Sequence, residues 1–155
     1  MSMSLLDEIR QTKPFEDPAD EAGLSILRTA TVLERGSNEA LRPFGITHTQ
    51  YNVLRILRGA GARGLCGREV GERLISSVPD VSRLLDRMEE MGLLRKERDA
   101  GDRRHVTARI TPRGRRLLDR ATPALETYGR ARFVGLSAKV VESLIAALAI
   151  VRSTK

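Results

Sequence analysis

One stretch, Ser76 to Arg116, restricts the fold more than any other: SSVPDVSRLLDRMEEMGLLRKERDAGDRRHVTARITPRGRR. Ser77-Val78-Pro79-Asp80 opens a helix. Ser77 is its expected cap, Pro79 sits in the first turn where its missing N–H costs nothing, and Asp80 favours the positive helix end. Val81, Leu84, Leu85 and Met88 fall on one face, and Gly92 ends the helix as a left-handed glycine does. Leu93–Arg98 and Arg104–Ile110 are extended runs, with the turn residues Asp99-Ala100-Gly101-Asp102 between them. Thr111-Pro112 then caps a further helix. The order predicts a recognition helix followed by a β-wing.

Charge is concentrated on the same stretch. Residues 95–116 hold nine Lys/Arg against three Asp/Glu, so this segment supplies six of the chain's net +7. A cationic excess focused on one hairpin points to a polyanion, most economically double-stranded DNA. The aromatic residues are Phe15, Phe44, Phe133, Tyr51 and Tyr128, with no Trp, which argues against a base-stacking platform. The lone Cys66 excludes an intrachain disulfide and a cysteine-rich zinc site, and His48 and His105 are too few for a metal sensor. No metal and no cofactor are expected. No run of about 18 apolar residues suggests a membrane span. The opening MSMSLLDEIR lacks a basic leader, so a cytoplasmic, nucleoid-associated protein is the expectation.

The length of 155 residues suits one compact domain with extensions. Residues 1–19 read as an arm interrupted by Pro14 and Pro18, with one amphipathic turn at Leu5, Leu6 and Ile9. Residues 20–46 hold a long helix, Asp20 to Leu41, with Ile26, Leu27, Ala30, Leu33, Ala40 and Leu41 near one face, ended by Pro43 and Gly45. Residues 47–111 hold the winged helix-turn-helix. Thr47-His48-Thr49-Gln50 is a capping box opening a helix that buries Tyr51, Val53, Leu54 and Leu57, and Gly59, Gly61 and Gly64 stop it. A shorter helix covers Gly67 to Ile75. Residues 112–155 hold two C-terminal helices, the first running to about Phe133 with Pro123 expected to kink or divide it. The second is capped by Ser137 and carries Val141, Leu144, Ile145, Leu148 and Val151 on one face. The fold class is mainly α with a small β-wing.

On the recognition helix the outward face presents Asp80, Ser82, Arg83, Asp86 and Arg87. Arg83 can donate two hydrogen bonds to a guanine edge, Ser82 can bond several bases, and Arg87, one turn back, suits a phosphate. The competing reading is a solvated face, but Arg83–Arg87 and Asp86–Glu90 pair like charges. After the turn, Arg103 and Arg104 could enter a narrow minor groove, with Asp102 orienting a neighbouring guanidinium. An ordinary exposed turn is the bland alternative there. Nothing marks an enzyme: no phosphate loop, nucleophile elbow or His/Glu cluster is present.

Asp102-Arg103-Arg104 with Val106, Ile110-Thr111 and Gly114, together with Val81-Ser82-Arg83-Leu84-Leu85-Asp86-Arg87-Met88-Glu89 and Gly92-Leu93, resembles the MarR family of bacterial transcription regulators. The resemblance covers about residues 20–152. It implies a homodimer in which the long N- and C-terminal helices interlock and two winged heads bind a pseudo-palindromic operator. It also implies a repressor released by a small aromatic or phenolic effector held between the dimerisation helices and the head. Phe44, His48 and Tyr51 are candidate pocket residues, and Ser77, Asp80, Ser82, Arg83, Arg87, Arg103 and Arg104 are candidate DNA contacts. Cys66 stands where the family caps a helix with Ser or Thr. A thiol there can be oxidisable, though no second cysteine could resolve it. A winged-helix protein-interaction adaptor and a constitutive DNA-binding regulator without a ligand are the alternatives. The operator, the target genes and the direction of regulation are not written in one chain.

Overall fold

Asp17, not Asp20, begins the first long helix. Its carboxylate accepts from the Ala19 N–H at 2.8 Å, and Pro18 takes the first helical position, where a proline loses nothing. The computed structural model describes residues 4–98 and 106–154. Their elements are α1 (Leu5–Ile9), α2 (Pro18–Leu41), α3 (His48–Ala60), β1 (Leu65–Cys66), α4 (Gly67–Arg73), α5 (Val81–Glu90), β2 (Leu94–Arg98), β3 (Val106–Ile110), α6 (Pro112–Arg132) and α7 (Ala138–Ser153). The chain is mainly helical with one small antiparallel sheet, as the sequence predicts. The short α1 is the expected turn at Leu5, Leu6 and Ile9, tied to α2 by Arg28 and Glu8 at 3.2 Å.

Caps fix most boundaries. The Thr47–Gln50 capping box of α3 is reciprocal: Thr47 Oγ1 accepts from the Gln50 N–H at 3.2 Å, and Gln50 Oε1 accepts from the Thr47 N–H at 2.9 Å. The helix runs through Gly59 and ends at Ala60, where Gly61 turns to a φ of 61°. At the end of α5, Leu93 N–H bonds to Met88 O at 3.0 Å and Gly92 N–H to Glu89 O at 2.8 Å, with Gly92 left-handed. That paired arrangement satisfies the last carbonyls and turns the chain sharply into β2.

Three expectations need correction. Ser77 does not cap α5. Val78 precedes a proline and is therefore disfavoured in helical geometry, so the helix waits for the next capping side chain, Asp80, which accepts from the Arg83 N–H at 2.9 Å. Helix α4 stops at Arg73 rather than Ile75, because the Ile75 N–H bonds instead to Asn52 Oδ1 on α3 at 3.0 Å. Pro123 does not divide α6, which continues through it as one element to Arg132.

The sheet has one more strand than the sequence suggests. Its order is β1-β3-β2, with Leu65 opposite Ala108 and Leu94 opposite Ile110. The core lies between this sheet, α3, α5 and α6, around Leu54, Leu57, Val70, Met88, Leu94 and Leu118. The buried residues of helix α2, Gly36, Ser37 and Leu41, all lie in its last two turns. None of the residues of α7 is buried.

Candidate nucleic-acid interface

The front of α5 is built by its own packing. Leu85 and Met88 are buried and Val81 and Leu84 partly so, which turns Ser82, Arg83, Asp86 and Arg87 outward on the opposite face. The Arg83 side chain is 88% exposed, and its only carboxylate partner among the described residues is Asp80 at 3.6 Å. An exposed pair of that length is weak and readily exchanged for a base edge or phosphate. No carboxylate among the described residues pairs with Arg87. Ser82, Arg83 and Arg87 thus form one accessible donor strip. Asp80 belongs to the helix start, where one oxygen caps the backbone. Ser77 is exposed in the segment before it, outside the helix.

The helix-turn-helix is held from behind. Asn52 fastens the turn after α4, as described, and Gly71 packs close to Val81, with only 3.2 Å between its potential Cβ and the valine methyl. At the start of α4 the Glu69 carboxylate accepts from the Cys66 N–H at 2.9 Å. This hydrogen bond, aided by Arg63 beside it, holds the Glu69 carboxyl below its ordinary range. Cys66 is half-buried, as expected of a small residue at that position.

The wing base is joined to α5 by contacts that no sequence pattern announces. The Lys96 N–H on β2 donates to Glu89 Oε1 at 2.6 Å, and the Lys96 ammonium pairs with Asp86 and lies 3.9 Å from Glu89 Oε2. Arg109 on β3 pairs with Glu97 across the ladder and donates to Ala62 O at 2.7 Å. The cations of residues 95–116 are therefore not equivalent. Lys96 and Arg109 are engaged with protein carboxylates. The turn residues Asp102, Arg103 and Arg104 lie outside the described residues.

At the far end of the wing, Thr111 links three elements. Its hydroxyl donates to Gly92 O at 2.7 Å and accepts from the Gly114 N–H at 3.0 Å, while its own N–H donates to Leu93 O at 3.1 Å. Gly114 is needed for this approach: a Cβ there would stand 2.1 Å from Leu93 O.

The three candidate pocket residues are dispersed. Tyr51 is 3% exposed, and its hydroxyl shares a 3.1 Å hydrogen bond with Thr122 Oγ1, which makes it part of the core. His48 sits at the start of α3, its N–H bonded to Asn38 Oδ1 at 2.8 Å; burial holds its imidazole below the usual pKa, with Glu34 opposing. Phe44 lines a recess of about 490 Å³ with Met91, Leu93 and Leu117 as apolar lining and Arg113, Arg116 and Arg120 of α6 around it. Among the described residues, none of those three arginines pairs with a carboxylate, no group of His, Cys, Asp or Glu could hold a metal ion, and no helix is long and apolar enough to cross a membrane.

Comparison with known proteins gives a consistent likeness. A family model described as MarR family matches residues 44–105. The Bacillus subtilis (strain 168) protein YkoM, an uncharacterized HTH-type transcriptional regulator, is 32% identical over 138 residues, covering 86% of this chain and 88% of YkoM. CouR from Rhodococcus jostii RHA1, solved bound to p-coumaroyl-CoA, superposes with a TM-score of 0.72 at 28% identity, over 91% of this chain and 98% of CouR. MepR of S. aureus, solved as a DNA complex, shares the fold with a TM-score of 0.77 at 24% identity, over 84% of this chain and 96% of MepR.

Proposed function

Because the chain belongs to the MarR family of DNA-binding transcription regulators, we propose that it works as a homodimer on two symmetry-related DNA half-sites. Each half-site is read by α5 in the major groove and flanked by a wing. The observation that carries this reading is the outward strip of Ser82, Arg83 and Arg87 on a helix whose other face is core. Its N-terminal part reaches base edges, and the planar Arg83 guanidinium is suited to two acceptors of guanine. Arg103 and Arg104 are assigned to the backbone or the minor groove beside it.

The homodimer reading rests on apolar surface. Leu27 on α2 is 66% exposed, and Ile145 and Val151 on α7 are 61% and 59% exposed. Fully burying one such side chain is worth about 1.5–3 kcal/mol, and a second copy would cover the faces symmetrically. The test of the whole reading is selection of duplexes from a random-sequence pool by the purified protein, followed by sequencing. A short inverted repeat is expected; a pool that stays random after repeated rounds would contradict sequence-specific recognition.

For the effector, the recess of Phe44, Leu117 and the α6 arginines suits a molecule that joins an aromatic ring to an anion, in place of the Phe44–His48–Tyr51 grouping. CouR's ligand, p-coumaroyl-CoA, is of that kind. Added p-coumaroyl-CoA should release the selected duplex from the wild type, and release should need at least ten times more ligand for Arg116→Gln/Arg120→Gln. Equal release from both would place the pocket elsewhere, and no release from either would exclude this class of effector.

A further inference from the structure

Lys96 belongs to the most basic segment of the chain, yet its surroundings are those of a fastener. It lies on β2, whose only sheet neighbour among the described residues is β3, opposite Ala108. The edge of a sheet leaves backbone groups without a strand partner. The Lys96 N–H on that edge is taken by Glu89 Oε1 at 2.6 Å, and the ammonium of the same residue pairs with Asp86. Asp86 and Glu89 stand three apart on α5, so both look toward the wing from one face of the helix. Only 27% of the Lys96 side chain is exposed, against 88% for Arg83.

Two consequences follow for a helix that enters a groove lined with phosphates. An unneutralised carboxylate at Asp86, between Arg83 and Arg87, would repel the DNA that those arginines attract; the ammonium cancels it locally. The same contacts hold the angle between α5 and the wing, which fixes where base-reading and backbone-binding side chains meet the duplex together. A displacement of about 1 Å in such a constellation loses function even when every contacting residue is intact.

We propose that Lys96 is a specificity-determining positioning residue, clamping the wing to α5 through Asp86 and Glu89, rather than a phosphate contact. Its removal should harm recognition of the cognate site more than binding to DNA in general. Removal of Asp86 in the same chain should relieve part of that harm, because the orphaned carboxylate leaves with it.

The experiment measures Kd for the selected duplex and for a random duplex of equal length, over a range of salt, with the full-length chain. Lys96→Gln should lose at least tenfold on the selected duplex and under threefold on the random one, with the random-DNA salt slope unchanged. Asp86→Asn in the Lys96→Gln background should recover at least threefold on the selected duplex. Lys96→Arg, which keeps the cation, should stay within threefold of the wild type. An equal loss on both duplexes, with a salt slope lower by about one and no recovery from Asp86→Asn, would make Lys96 a phosphate contact and overturn the proposal. No effect of Lys96→Gln on either duplex would overturn it as well. Should Lys96→Gln fail to fold, Glu89→Gln tests the other arm of the clamp: a fall in the selected-to-random affinity ratio supports the proposal, and an unchanged ratio overturns it.

Discussion

Arg83 and Arg104 carry the same charge but should fail differently when removed. Arg83 projects from the first turn of α5, opposite Leu85 and Met88, on the side proposed to meet the groove. Arg83→Ala should cost about 1–3 kcal/mol on the selected duplex and relax preference at one base position per half-site. Equal losses on selected and random DNA would make it a backbone contact. Arg104, outside the described residues, is assigned to the wing tip from its sequence. Arg104→Ala should weaken every duplex and lower the salt slope by about one; an unchanged slope would remove the wing tip from the interface. His48 gives a pH signature. Burial holds its folded pKa below 6.5, so the unfolded chain takes up the proton first as pH falls. Stability from this group is present above pH 6.5 and lost as the pH drops toward the folded value. Thermal midpoints between about pH 8 and 5.5 should fall more steeply for the wild type than for His48→Gln, and parallel curves would contradict this. At this scale the sequence misled where a partner was distant. Asp86 reads as a surface carboxylate until β2 brings Lys96 to it, and Tyr51, read as buried, gains from α6 the Thr122 partner for its hydroxyl that the sequence does not show.

Between elements, close approach matters more than charge. Gly114 lets the first turn of α6 rest on the chain that leaves α5, and a Cβ would stand 2.1 Å from a backbone oxygen that cannot rotate away. Gly114→Ala should destabilise the fold by about 1–3 kcal/mol or more, read as a lower midpoint in chemical denaturation with an unchanged slope; a wild-type midpoint would show that the backbone yields freely. The elements that are legible in the sequence are those decided within a few residues. The Thr47–Gln50 box, the Thr111 and Ser137 caps and the left-handed Gly92 all sit where the sequence places them. The start of α5 is ambiguous in the sequence because two capping side chains, Ser77 and Asp80, compete there, and Pro79 decides between them through Val78. Strand β1 has no legible pattern, since two residues show no alternation and Leu65–Cys66 is extended only because β3 pairs with it. Pro123 is tolerated inside a helix that α2 and α3 pack against, where tertiary contacts outweigh the local cost.

Over the whole molecule, the division between a packed head and bare helices organises function. The core joins α3 to α6 and the sheet, while α7 and the N-terminal turns of α2 keep Leu24, Leu27, Ile145, Ile150 and Val151 exposed. Exposed apolar helices of this extent call for a partner, and in the proposed homodimer a second copy would give each α5 a twin at a fixed distance. In that dimer the spacing between half-sites would be a property of α2, α6 and α7, although none of the proposed base contacts lies on them. The measurement that bears most directly on this is the stoichiometry of the complex with the selected duplex, by light scattering, joined to a hydroxyl-radical footprint. Two chains per duplex are expected, with two-fold related protection centred about 10 base pairs apart, one turn of DNA. One chain per duplex, or a single unrepeated patch of protection, would contradict a dimeric regulator that reads DNA with paired α5 helices.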